Sequence, residues 1–156
     1  MCPAADSCRK TIIMRRVLVP VDGSDCSLRA VDYLIAERAQ RAVPDDIEVH
    51  LLNVQLALRG DVGQFISHDQ IAAYRDEESE KALREAQSRL TAAGVRPVAH
   101  TGVGHAAEVI TQTAGELGCD HIVMGTRGRG ALADLLAGST TVRVVHHASM
   151  PVVLVK

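Results

Sequence analysis

Aromatic side chains are almost missing from this sequence of 156 residues, which has no Trp, two Tyr and one Phe. The core must therefore be aliphatic. A single-strand nucleic-acid platform built from stacked rings is excluded for want of rings. Charge of one sign is also lacking: 17 basic against 19 acidic residues leave a formal charge of -2. No overall field draws in DNA or an anionic membrane, so neither is expected as a partner. The longest apolar runs, 17–21 and 151–155, fall far short of the ~20 residues that a membrane span needs. Cys2, Cys8, Cys26 and Cys119 form no C-x-x-C pair, and a chain this long needs no disulfide scaffold. These thiols read as structural or incidental, with Cys119 expected to be buried ahead of a strand. Residues 1–14 contain Arg9 and Lys10 but no apolar h-region. They read as a loose extension rather than a secretory signal, with Met14 as an alternative start. The cytoplasm is the expected location.

What is present is an ordinary globular balance, 47% hydrophobic and 23% charged, enough for one domain over 15–156. Residues 15–21 predict a strand whose unbroken run Val17-Leu18-Val19-Pro20-Val21 suits burial on both faces of a parallel sheet. Pro20 marks where it stops. Asp22-Gly23-Ser24 predicts a turn, and Ser24 an N-cap. Leu28, Val31, Leu34 and Ile35 then recur at helical spacing, predicting a helix over 25–42. The pattern continues with a strand over 47–54, a long loop over 55–67 and a helix over 69–93 closed by Gly94. A strand over 95–101 and a helix over 106–117 closed by Gly118 follow. The remainder predicts a strand over 120–125, a helix over about 132–147 and a strand over 151–155. Alternating strands and helices imply right-handed crossovers and an α/β fold with helices on both faces. Ligands of such sheets sit beyond the carboxyl ends of the strands.

That rule directs attention to Asp22, Val54, residues 101–105 and residues 125–130. Gly125, Gly128 and Gly130 let the backbone bend and approach a ligand closely, and their N–H groups can form an anion-binding concavity. Gly138-Ser139-Thr140 follows Gly128 after nine intervening residues. If the chain folds back, it joins the same phosphate site, with Arg127 and Arg129 as charged donors. A flexible loop with two solvated arginines is the plainer alternative. Asp22 can accept hydrogen bonds from a ribose, or can simply shape a turn. No Gly-Lys pair supports a Walker A loop. Strings at Gly102-Gly104-Ala107 and Gly128-Gly130-Ala133 lack the acidic partner of a dinucleotide site. No G-x-S-x-G motif is present. His146 and His147, adjacent at a helix end, diverge too far to share an ion and suit the helix dipole instead. The other histidines show no ligand spacing, so no metal ligand and no catalytic residue is assigned. Glu77–Lys81 and Glu80–Arg84 predict surface ion pairs on the long helix.

The first strand and turn (residues 17–24), the spacing of Gly125, Gly128, Gly138 and Ser139, and the final apolar strand together resemble the universal stress protein family. The resemblance covers residues 15–156, and the glycine spacing is that of the family's ATP-binding branch. It implies a five-stranded parallel sheet in the order 3-2-1-4-5, an ATP cleft and a homodimer. By the resemblance, Pro20, Val21 and Asp22 contact adenine and ribose, and Val54 lines the adenine pocket. Met124 and Gly125 close the ribose side. Arg127 and Gly128 reach the phosphates, and Gly138, Ser139 and Thr140 cradle them. Mg2+ would bridge phosphate oxygens.

The expected function is therefore a nucleotide-dependent stress or regulatory module, with ATP hydrolysis slow at most for lack of a convincing general base. An enzyme of adenylate chemistry and a nucleotide-free interaction module are the alternatives. Residues 151–155, expected at a sheet edge, invite two-fold pairing with a second copy.

Overall fold

A computed structural model describes residues 14–41, 47–57, 67–127 and 137–156. Its elements run β1 (Arg16–Pro20), α1 (Asp25–Ala39), β2 (Glu48–Gln55), α2 (His68–Ala92), β3 (Val98–Val103), α3 (Ala106–Glu116), β4 (His121–Gly125), α4 (Ser139–His147) and β5 (Val152–Val155). The five strands are parallel and ordered β3-β2-β1-β4-β5. The α/β class and the strand order are those that the sequence and the resemblance imply.

Alternation along each strand divides the core. Val17, Val19, Val49, Leu51 and Val123 pack with Leu28, Val31, Leu34, Leu83 and Leu90 of α1 and α2. Leu18, Leu52, Ile122 and Met124 pack on the opposite face with Ile110, Ala114 and Val144 of α3 and α4. Every one of these side chains is aliphatic, as the near absence of rings requires. Met14 also belongs to the first cluster, and its carbonyl accepts from Arg41 Nη1 at 2.8 Å. The rest of the N-terminal extension, 1–13, lies outside the described residues, as do 58–66 of the long loop.

Capping chemistry sets the helix bounds. Ser24 accepts from Ser27 N at the start of α1, and Ser67 with Gln70 forms a capping box on α2. Gly94 and Gly118 both take positive φ, +76° and +63°. At the first, Gly94 N–H donates to Thr91 O and Val95 N–H to Leu90 O. At the second, Gly118 N–H donates to Gly115 O and Cys119 N–H to Ala114 O. Both ends are Schellman motifs, in which the residue after the glycine packs back on the helix. Cys119 is buried accordingly, and burial pushes its thiol up to about 11.

Three expectations are corrected. The third strand spans Val98–Val103 rather than 95–101, because Val95 is committed to the helix cap and Pro97 has no N–H for a ladder. The last helix begins at Ser139, since Ala137 and Gly138 are not helical; residues 132–136 lie outside the described residues. Pro151 precedes β5 instead of joining it, and its carbonyl accepts from Ile122 N–H.

The sheet is tied at its lower end by a histidine chain that spacing alone does not reveal. Glu48 Oε1 lies 3.1 Å from His50 Nε2, and His50 Nδ1 lies 2.9 Å from His100 Nε2. A carboxylate only accepts, so the His50 proton sits on Nε2 and His100 donates to the vacant Nδ1. Arg16 Nε holds the other Glu48 oxygen at 2.8 Å. Burial, and then any positive charge on His50, hold His100 below the ordinary histidine range. Its neutral form is thus favoured in the folded state. The stability it contributes is complete above the unfolded value of about 6.5 and is lost as pH falls through the folded value. Urea melts at pH 7.5, 6.5 and 5.5 should show declining stability, and His100→Gln should flatten that decline.

Close approach of the main chain fixes Gly125. A Cβ on Gly125 would lie 2.5 Å from Cys26 O and 2.9 Å from Cys26 Sγ, so α1 could not keep its seat on β4. Gly125→Ala should cost about 1–3 kcal/mol in a urea melt. Gly115→Ala, with nothing near the added methyl, should instead gain about 0.5–1 kcal/mol.

Candidate functional site

The strand order reverses direction between β1 and β4, where a doubly wound sheet opens its crevice. The β1–β4 register runs only through Val17↔His121 and Leu18↔Ile122, whereas β4–β5 pairing continues to Gly125↔Val155. Pro20 has no N–H, and its position on the β4 side is where the two strands part. The crevice is therefore written into β1 itself.

On its β1 side the chain turns sharply. Gly23 takes φ +78°. Asp22 Oδ1 accepts from Ser24 N at 3.0 Å and from Ser24 Oγ at 2.6 Å. The carboxylate thus shapes the turn, as the plainer sequence alternative has it, while remaining half-buried at the mouth of the crevice. Val21 is buried just beyond β1, and its N–H donates to Leu52 O at 2.8 Å. Val54, near the end of β2, is half-buried opposite Gly102.

On the β4 side, Met124 and Gly125 are the last residues of the strand, and Arg127 follows, exposed. Residue 128 and the rest of the glycine-rich segment to 136 lie outside the described residues. The chain then returns. Gly138 N–H donates to Thr126 O at 2.7 Å, and Thr141 Oγ1 donates to both Gly125 O and Thr126 O at 3.3 Å. This brings Gly138, Ser139 and Thr140 to Gly125 and Thr126 at the end of β4.

The start of α4 is suited to an anion. Gly138 is its N-cap with extended φ and ψ, it has no side-chain cap, and the first turn contains no acidic residue. First-turn N–H groups lack intrahelical acceptors and sit at the positive end of the helix dipole. Arg127 supplies a guanidinium nearby in the chain. Ser139 and Thr140 add hydroxyls.

Residue types alone missed four participants. Thr126 and Thr141 are buried and lock the return. Cys26 Sγ lies 3.9 Å from Thr126 Oγ1 and 4.0 Å from Val155 O, joining the start of α1 to the end of β4. Burial pushes its thiol up, but the Arg127 and Thr126 N–H groups, the Thr126 hydroxyl and Arg29 outweigh it and hold the thiol below its ordinary value. Asn53 is buried behind Val21. Only Thr141, two positions beyond the Gly138-Ser139 pair, carries a local signal. Among the described residues, no cluster of three His, Cys, Asp or Glu could hold a metal ion. No helix among them is long and apolar enough to cross a membrane.

Known proteins resemble this chain in sequence and fold. Universal stress protein MJ0531 of Methanocaldococcus jannaschii is 31% identical over 150 residues, covering 92% of this chain and 83% of its own. Universal stress protein G of Escherichia coli O157:H7 is 31% identical over 155 residues, covering 94% and 99%. Among solved structures, hypothetical protein MJ0577 superposes with a TM-score of 0.78 at 27% identity, covering 92% of this chain and 97% of that one. A universal stress protein solved in complex with cAMP gives 0.66 at 27% identity over 92% and 97%. One from Archaeoglobus fulgidus in complex with dAMP gives 0.62 at 25% identity over 93% and 99%. The model of the Universal stress protein family matches residues 14–156, and with the parallel 3-2-1-4-5 sheet and the returning glycine segment it follows that this chain belongs to the universal stress protein family.

Proposed function

We propose that this chain binds an adenine nucleotide, ATP with Mg2+, at the crevice between β1 and β4, and acts as a nucleotide-dependent regulatory module in the cytoplasm. The observation that carries the reading is the Gly138 N–H bond to Thr126 O at 2.7 Å. It delivers an uncapped, acid-free helix start to the carboxyl end of a central strand, where a phosphate is best accommodated. Relatives solved with cAMP and with dAMP support an adenine ring as the base. In this reading Pro20, Val21, Asp22 and Val54 meet the adenine and ribose. Met124 and Gly125 close the sugar side. Arg127, Gly128, Gly138, Ser139 and Thr140 hold the phosphates.

The donor set fits a triphosphate with its ion. Hydroxyls, amides and a guanidinium suit phosphate oxygens, and Mg2+ is ordinarily held by phosphates and water with one or two protein oxygens. Ser139 Oγ is the protein oxygen we assign to it. The nearest carboxylate of the turn, Asp22, has Oδ1 engaged by Ser24. The sequence offers no convincing general base, and binding rather than turnover is the function proposed.

The same reading includes a homodimer through β5. This strand ends the sheet, and Leu154 on it is an exposed apolar side chain. Two-fold pairing would cover the strand edge and Leu154 together.

Calorimetry should show ATP binding that strengthens with magnesium, and Ser139→Glu, which sets a carboxylate on the helix start, should weaken it at least ~10-fold. Equal affinity for ATP in the variant, or flat titrations of folded wild type with ATP, AMP and cAMP, would overturn the proposal. Sedimentation should give a dimer that Leu154→Lys dissociates; a wild-type monomer at micromolar concentration would sink the dimer.

A further inference from the structure

The end of β1 is held on one side only. Its paired register with β4 stops at Leu18↔Ile122, and Pro20 offers no N–H toward that side. Val21 makes two bonds to β2. One is the Val21 N–H to Leu52 O. The other comes from a side chain: Asn53 Nδ2 donates to Val21 O at 2.7 Å.

Asn53 is 3% exposed and shares the strand face of Val49 and Leu51, which belong to the aliphatic core under α1 and α2. A polar amide there is out of keeping with its neighbours. Packing alone would be served by leucine, which has a similar length. What the amide adds is its two matched hydrogen bonds. A carbonyl only accepts, so Nδ2 faces Val21, and Asn53 Oδ1 in turn accepts from Gln55 Nε2 at 2.7 Å. Gln55, two residues along the same face, fixes the amide orientation that Val21 requires. Beyond Val21, the chain is held again where Asp22 Oδ1 accepts from Ser24 and Ser24 caps α1. Asn53 behind and the helix cap ahead are two anchors that flank Asp22 and Gly23.

We infer that Asn53, oriented by Gln55, is a positioning residue for the base-and-ribose half of the nucleotide site. It acts through the Val21 carbonyl and touches no ligand itself. The inference rests on the nucleotide reading above. Removing the amide leaves the Val21 carbonyl without its donor, so the peptide leading to Asp22 turns to find another. The loss then falls on the nucleoside half and leaves the phosphate half intact. It is the same factor for ATP, AMP and adenosine.

The test compares wild type, Asn53→Leu and Gln55→Ala by calorimetry with those three ligands, at a temperature far below each Tm. There a merely destabilised protein is still fully folded and binds with unchanged Kd. We expect Asn53→Leu to weaken all three ligands by a common factor of about 10–100, the size of one buried hydrogen bond lost. Gln55→Ala should weaken them by a common factor of about 3–10, since it frees the amide without removing it. Unchanged Kd in both variants, or a loss confined to ATP, overturns the positioning role. If Asn53→Leu does not fold, Gln55→Ala decides alone by the same criterion. A wild type that binds none of the three overturns the nucleotide reading itself, whereas a wild type that binds beside variants that match it overturns only the role of Asn53.

Discussion

The carbonyl of Thr126 stands at the junction on which the upper half of the molecule depends. Thr126 is buried, and a buried carbonyl without a donor costs on the order of 1–3 kcal/mol. Gly138 N–H and the Thr141 hydroxyl both supply that need. In doing so they commit the chain to return to β4 before α4 can begin. The N–H of Thr126 is also used, donating to Val155 O at 3.0 Å, so β5 is joined to the same point. One residue thereby ties together the end of β4, the start of α4 and the end of the edge strand. The helix start is brought to the end of β4 as a consequence of satisfying that carbonyl.

The other wall is built by a complementary device. Proline cannot extend the ladder, so β1 leaves β4 while β4 keeps its bonds to β5. The crevice is an interruption in pairing that the sheet tolerates because Val21 is held from β2. Cys26 then closes the arrangement from the α1 side, filling the space that Gly125 leaves open. These contacts are steric and directional, with little reserve for change. A methyl at Gly125 would strike main-chain atoms, which cannot swing aside as a side-chain tip can.

The two ends of the sheet differ in their electrostatics. At the lower end Asp120, Arg16 and Glu48 have partners of defined geometry. Asp120 accepts from Arg15 N, Arg16 N and His121, and although burial pushes its carboxyl up, these bonds outweigh it and hold it below the usual range. Arg16 spans Glu48 and the Leu117 carbonyl at the end of α3. Such pairing closes the bottom of the fold. At the upper end stand the Asp22 carboxylate, bonded to Ser24, the helix start at Gly138 without a side-chain cap, and the exposed Arg127. In the proposed reading, stability and binding fall to opposite edges of one sheet.

Local chemistry made much of this legible in the residue order. Unbroken apolar runs gave parallel strands, Ser24 a cap, and Gly94 and Gly118 the left-handed helix ends, because each depends on neighbours a few positions away. The alternating pattern implied a parallel sheet but left its order open; the order came from resemblance. Asp22, Gly125 and Gly138 could be marked as candidates by type and spacing, since glycine and carboxylate have few uses at strand ends. Tertiary structure alone decided that Gly138 reaches Thr126, that Cys26 meets Gly125, that His50 shares a hydrogen bond with His100 and that Asn53 supports Val21. Each of those contacts joins residues on different elements, and their distance is fixed by strand order, register and helix packing together. Spacing along the chain carries no record of that sum, whereas a cap or a turn is complete within its own few residues.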